Sequence, residues 1–192
     1  MATSLAVSVG SVSGYLGGWV DIGVQRFVDL WLSFPGLIFV ILVVAIFGNN
    51  NLVFVVTLSL LLSAGSSRII RSATIALRGQ AFVEAARSLG APQMRILLQH
   101  IVPNLLPVII VNCSIRMGEV VLLSATLSFL GFGPPPPFPS WGRMLQESQT
   151  QMQYHPNLAV FPGLAIVLTV YAFNMLGDAL RDVLDPRLRR TH

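Results

Sequence analysis

Lysine is absent from this sequence, and cysteine is nearly so. All twelve basic residues are arginine, and Cys113 is the single cysteine. Without lysine the chain cannot contact nucleotide phosphates as a P-loop does, and it cannot form a Schiff base with a substrate. One cysteine excludes a disulfide within the chain. The sequence therefore excludes ATP binding by a P-loop and Schiff-base catalysis.

Charge is scarce as well, which points away from a soluble domain. Only 10% of the residues are charged, against roughly 25% in a typical soluble domain. Hydrophobic residues make up 54% of the chain, and the mean hydropathy is +0.72. The net charge of +4 comes from arginines that lie between apolar segments rather than on one surface stripe. This pattern indicates a membrane protein and not a nucleic-acid-binding protein.

Four segments are long and apolar enough to cross a bilayer, which takes about 20 residues. They are residues 27–48, 52–76, 104–130 and 158–180, and Pro35 is expected to kink the first. Residues 1–18 are short for a span and lack the basic start of a signal peptide, so we expect the end of a membrane helix that begins before this chain. The prediction is one all-α, polytopic transmembrane bundle over residues 1–192, with about four full spans and a partial N-terminal span.

The distribution of arginine predicts the orientation of the spans, because basic residues concentrate on the cytoplasmic side. Arginines cluster before the first span, between the second and third, and after the fourth: Arg26; Arg68, Arg71, Arg78, Arg87 and Arg95; Arg181, Arg187, Arg189 and Arg190. The outer loop 131–157 contains one basic residue, Arg143, and a run of four prolines at 134–137. Polyproline is stiff and extended, so we expect an ordered outer cap.

The cytoplasmic segment 80–103 is patterned as two short helices around a bend. Residues 81–89 include good helix formers. Gly90 suits the left-handed conformation that ends a helix, and Pro92 suits the first turn of the next. Two interpretations fit this pattern: a docking element for a soluble partner, or an ordinary amphipathic loop at the membrane surface.

Polar residues also occur within the third span. Asn112, Arg116 and Glu119 fall on one helix face, at spacings of four and three. Charges at membrane depth are costly and are usually paired or face a wet cavity, and Arg116 can pair with Glu119 along the helix. The three residues are therefore either part of a translocation path or a structural ion pair at an interface with a second subunit.

No enzyme signature is present. The sequence contains neither HExxH nor GxSxG, and no paired carboxylates lie at membrane depth. His100 has no carboxylate or serine near it in sequence, so we interpret it as an interface or capping residue. His155 and His192 are far from His100 in the predicted topology, so no metal site is expected. The prediction is that the chain is not an enzyme and has no catalytic residues.

The cytoplasmic segment resembles the EAA loop of ABC-importer membrane subunits, on Glu84-Ala85-Ala86, Gly90, His100 and Pro103-Asn104. Further stretches resemble the dipeptide, oligopeptide and nickel permease branch of that family, and most of all its second, C-type membrane subunit. These stretches are residues 14–21, 127–133, 139–142, 161–166 and 176–188. The resemblance covers nearly the whole chain.

The resemblance implies a type I ABC importer permease in the cytoplasmic membrane of a bacterium, importing peptides or a similar small solute. It implies that the loop sits in a cleft of a cytoplasmic ATPase. Glu84 and Arg87 would supply polar contacts there, while Ala85, Ala86 and Gly90 would permit close approach.

The same resemblance implies a set of partners. Two ATPase subunits would bind ATP and Mg²⁺, so no cofactor is expected in this chain. A sister permease subunit would complete a heterodimer in the lipid membrane, and an extracytoplasmic solute-binding protein would deliver the solute.

Two departures from the family pattern leave an alternative open. Family members usually have six spans, whereas this chain starts within the second, and Ser124 stands where such proteins often have glutamate. The alternative function is a non-transporting, truncated membrane scaffold that only binds partner subunits.

Overall fold

The computed structural model describes residues 1–184, and within this range the chain forms helices and no strand. The helices are α1 (Ala2–Leu16), α2 (Gly18–Ser33), α3 (Gly36–Phe47), α4 (Asn51–Arg78), α5 (Ala81–Ser88), α6 (Gln93–Arg95), a π-helical turn (Ile96–Ile101), α7 (Val102–Phe129), α8 (Trp141–Ser148) and α9 (Asn157–Leu184). The all-α prediction is confirmed. Arg187, Arg189 and Arg190, on which the predicted orientation partly rests, lie outside the described residues, as does the end of the matching stretch 176–188.

The predicted spans correspond to observed helices. Among the described residues, Asn51–Arg78, Gln93–Phe129 and Asn157–Leu184 are each long and apolar enough to cross a membrane, and α2 and α3 together make a fourth candidate. The helix that corresponds to the predicted span 104–130 begins earlier, at Gln93, because α6, the π-helical turn and α7 form one continuous helix. Pro103 has no N–H to donate, and the wider π-helical turn just before it accommodates that loss.

The first predicted span is broken rather than continuous. Phe34 and Pro35 leave the helical conformation, with ψ angles of 133° and 117°, and α3 begins at the next residue. The helix before the break starts at Gly18, well before the predicted start at residue 27. The predicted kink at Pro35 is therefore a complete interruption of the helix.

The described residues form two compact units. The first comprises Met1–Phe34, Ser59–Asn112 and the last described residues from Leu180, and the second comprises Pro35–Leu58 and Cys113–Ala179. The prediction of a single domain over residues 1–192 stays a prediction.

In the first unit, α1 and α4 approach each other closely through small residues. A β-carbon placed on Gly10 would lie 2.4 Å from the carbonyl oxygen of Ser67, and one on Gly14 would lie 2.8 Å from the carbonyl oxygen of Arg71. Glycines four residues apart are a typical device for close packing of membrane helices. The backbone of α1 therefore lies directly against that of α4.

In the second unit, the outer loop contains a helix that the sequence did not predict. Helix α8 follows the proline run, and the Arg143 guanidinium on α8 donates a hydrogen bond to the carbonyl oxygen of Pro134. A cavity of about 470 Å³ lies between α7 and this loop, and Ser124 and Trp141 are among the residues lining it. The loop is a folded element attached to α7.

The glycine contact between α1 and α4 makes a testable prediction. We expect Gly14→Ala to lower the free energy of unfolding by about 1–3 kcal/mol, because its methyl group has no room against the α4 backbone. Gly23→Ala on α2 is the matched control, since a β-carbon there meets no atom within 4 Å. Thermal unfolding of both variants in detergent measures the difference, and equal melting temperatures would contradict the observed packing.

Candidate functional site

The segment after α4 folds as helix, bend and helix, as predicted. The N–H groups of Leu89 and Ala91 donate to the carbonyl oxygens of Ala85 and Ala86, both at 3.1 Å, and close the end of α5. Gly90 has a φ angle of +77°, the left-handed conformation expected of it. Pro92 then caps the start of α6, where its carbonyl accepts the Arg95 N–H at 2.9 Å.

Helix α5 is held to the rest of the first unit by a buried apolar cluster, here called the anchor cluster. Val83 is the residue that α5 contributes, and it is completely buried. Burying a valine side chain contributes about 1.5–3 kcal/mol. The anchor cluster consists of Tyr15, Ile70, Val83, Ile96, Leu97, Ile101 and Leu105. Val83 of α5 therefore packs in one cluster with residues from α1, α4 and the helix that leads into α7.

Other side chains of the segment remain exposed. Glu84 and Arg87 are exposed on α5, and Leu89 and Met94 are large apolar side chains exposed by 87% and 63%. We call Glu84, Ala85, Arg87, Leu89 and Met94 the exposed loop residues. Charged and large apolar side chains exposed on one short segment are compatible with a protein-binding surface.

Two predicted site residues are only partly exposed. Ala86 is half-buried and packs against the anchor cluster. His100 is half-buried in the π-helical turn, and its carbonyl oxygen accepts a hydrogen bond of 2.6 Å from the Asn104 side chain. Of the predicted loop residues, Glu84, Ala85, Arg87 and Gly90 are the exposed ones.

Comparison with known families decides the class of this molecule. A family model described as "Binding-protein-dependent transport system inner membrane component" matches residues 6–190. The chain belongs to this family. The family assignment and the several apolar helices establish a multi-pass protein of the bacterial inner membrane.

Individual relatives agree with the family assignment. The chain is 42% identical over 185 residues to the glutathione transport system permease protein GsiD of Pectobacterium atrosepticum, an alignment that covers 96% of the chain and 62% of that relative. It is 43% identical over 175 residues to GsiD of Escherichia coli, covering 91% and 58%, and 44% identical over 172 residues to GsiD of Shigella flexneri, covering 90% and 57%. The chain thus spans about three fifths of the length of the curated relatives it matches. These relatives are transport permeases, which fits the prediction that the chain is not an enzyme.

The polar residues of α7 are arranged as their spacing predicts. Arg116 donates to Glu119 in an ion pair along the helix, and the two side chains are 24% and 48% exposed. Asn112, one turn earlier on the same helix, is buried. The pairing is compatible with both interpretations of these residues, the translocation path and the structural ion pair.

A second set of charged contacts was not predicted from the sequence. The Asp21 carboxylate accepts hydrogen bonds from both Nε and Nη2 of Arg71, the former at 2.5 Å, and from the Ser13 hydroxyl at 2.8 Å. Asp29 and Arg68 form a further ion pair. The available signal was the position of the two arginines inside an apolar span, where a charge requires a partner.

The anchor cluster contains one polar atom without a partner, which makes a testable prediction. The Tyr15 hydroxyl is buried and has no hydrogen-bond partner among the described residues. Leaving such a group unpaired costs about 1–3 kcal/mol, so Tyr15→Phe should raise the melting temperature or leave it unchanged. Tyr171→Phe, at an exposed position, is the control. A lower melting temperature for Tyr15→Phe alone would show that the hydroxyl is paired in the membrane.

Proposed function

We propose that this chain is a membrane-spanning subunit of an ABC importer, driven by ATPase subunits that dock on the loop 80–103. The observation that carries this proposal is the division of α5 between a buried anchor and exposed charged and apolar side chains. The buried Val83 side chain holds the helix in place. The side chains of Glu84, Arg87 and Leu89 are exposed, so a partner protein can contact them. This arrangement suits a helix that must bind one protein and move another part of its own chain.

The loop is connected to the membrane by an uninterrupted helix. Gln93–Phe129 comprises 37 residues, about 55 Å of helix, and begins three residues after the bend at Gly90. A displacement of α5 by a closing ATPase pair would act directly on the start of this helix and, through Ile70, on α4. ATP and Mg²⁺ would be bound and ATP hydrolysed by the partner, and this chain would convert the movement into alternating access.

For the solute, we propose a small peptide or a peptide-like compound. The relatives are named as glutathione transport permeases, and glutathione is itself a modified tripeptide with free carboxylates. Arg116 and Glu119 on α7 are the candidates for contact with such a solute, with Asn112 one turn away. The family description implies dependence on a binding protein, so we propose an extracytoplasmic solute-binding protein, a sister permease and two ATPase subunits as partners.

Docking on the loop can be tested by co-purification with the sister permease and the ATPases. We expect Glu84→Arg and Gly90→Trp to lower ATPase recovery at least about tenfold, the equivalent of about 1.4 kcal/mol of binding free energy. The first reverses an exposed charge, and the second places a bulky side chain at a left-handed bend. Recovery of the sister permease should not change.

Gln149→Arg is the matched control for that experiment, because it introduces an arginine at an exposed position of the outer loop. Equal ATPase recovery by the wild type, the two loop variants and the control variant would contradict docking on the loop 80–103. ATPase recovery by a wild-type complex that moves no solute would support the scaffold function instead of transport.

The role of the α7 ion pair is tested separately. We expect Arg116→Ala to reduce solute uptake about tenfold or more, the equivalent of about 1.4 kcal/mol, while the assembled complex is recovered in full. Uptake into proteoliposomes and subunit recovery are measured on the same preparation. Loss of the assembled complex would show that Arg116 and Glu119 form a structural ion pair at the subunit interface.

A further inference from the structure

The contacts around Asp21 form a continuous polar network in the first unit. Ser13 on α1 donates to Asp21 on α2, and the Gln25 amide donates to the Ser13 hydroxyl at 3.3 Å. Arg71 on α4 completes the set with two hydrogen bonds to the same carboxylate. We call Ser13, Asp21, Gln25 and Arg71 the Asp21 network. It joins three helices through one carboxylate.

This ion pair differs from the other one between α2 and α4. The side chains of Asp21 and Arg71 are 14% and 30% exposed, whereas those of Asp29 and Arg68 are 50% and 46% exposed. A two-bonded guanidinium–carboxylate pair fixes both distance and orientation. Because both side chains of the Asp21–Arg71 pair are partly buried, removing one partner leaves the other charge uncompensated at a site that water reaches only in part. The Asp21–Arg71 pair is therefore the stronger constraint on how α2 lies against α4.

The Asp21 network lies next to the anchor cluster that holds α5. Arg71 follows Ile70, which belongs to the anchor cluster beneath α5. On α1, Tyr15 of the anchor cluster follows Gly14, whose backbone lies against the carbonyl of Arg71. The turn of α4 that contains Ile70 and Arg71 thus contacts both the anchor cluster and the Asp21 carboxylate on α2. A rigid-body movement of this turn would carry both contacts with it.

We infer that the Asp21–Arg71 ion pair is a positioning element that couples displacement of the loop 80–103 to displacement of α2. This inference rests on the proposed function of the loop as the docking site of an ATPase. Because the guanidinium holds Asp21 by two bonds, α2 cannot slide along α4 without breaking them. Movement of α4 is therefore passed to α2, and α2 ends directly before the break at Phe34 and Pro35. Asp21 contacts neither ATPase nor solute in this scheme.

The test uses the full chain in proteoliposomes, assembled with its sister permease, ATPases and solute-binding protein, and supplied with glutathione or a dipeptide. Three quantities are measured: ATPase recovery, the rate of ATP hydrolysis, and the amount of solute moved per ATP hydrolysed. We expect Asp21→Asn to keep ATPase recovery and hydrolysis but to lower solute moved per ATP about tenfold, within the usual range of coupling between two sites. Asp29→Asn is the matched control at the exposed pair and should stay within about twofold of wild type.

A second variant keeps the test informative if Asp21→Asn fails to fold. Arg71→Lys retains the charge but cannot make the two-bonded contact, so it should fold and lower solute moved per ATP by a smaller factor than Asp21→Asn. The inference would be overturned if Asp21→Asn and Arg71→Lys both moved as much solute per ATP hydrolysed as the wild type. A parallel loss of ATPase recovery and transport in Arg71→Lys would also overturn it, because the pair would then be needed only for assembly. If the wild-type chain recovers no ATPase, the proposed function fails first, and the inference fails with it.

Discussion

The burial of Val83 in the anchor cluster is the interaction on which the packing of α5, and with it the proposed role of the loop 80–103, depends. A short helix such as α5 is not stable alone in water, and most of its stability must come from packing. Val83 supplies that packing and at the same time joins α5 to α1, α4 and the helix that continues into α7. Without this contact α5 would not be packed against the first unit, and only the continuous helix that begins at Gln93 would connect a movement of the loop to the rest of the chain.

Desolvation is the second constraint, and it explains where the charges lie. An arginine within a membrane helix must be paired or reach water. Arg71 is paired across helices with Asp21, and Arg116 is paired along its own helix with Glu119. The first pair fixes the relative position of two helices, whereas the second satisfies its charges without constraining a neighbouring helix. This difference is why we assign a positioning role to Asp21 and consider Arg116 a candidate for contact with solute.

The sequence predicted the features that depend on local chemistry. Apolar length predicted the spans, Gly90 and Pro92 predicted the bend, and a spacing of three predicted the Arg116–Glu119 pair. The Asp21–Arg71 pair could not be predicted in this way, because its partners are 50 residues apart in sequence and lie on different helices. The exposure of Ala85 but not Ala86 depends on the orientation of α5, which Val83 sets by burial. Helix α8 was missed because the proline run next to it suggested an extended loop.

The most direct test of the central claim is cross-linking of the loop to the ATPase within the assembled complex. In a Cys113→Ser background, a single cysteine replaces Ser88 at the exposed end of α5 or, as the control, Thr150 in the outer loop. A cysteine-reactive photo-cross-linker attached at position 88 should join the chain to the ATPase, whereas the same reagent at position 150 should not, and nucleotide binding should change the yield at 88. Absence of any cross-link from position 88, in a complex that still hydrolyses ATP, would contradict a docking role for α5.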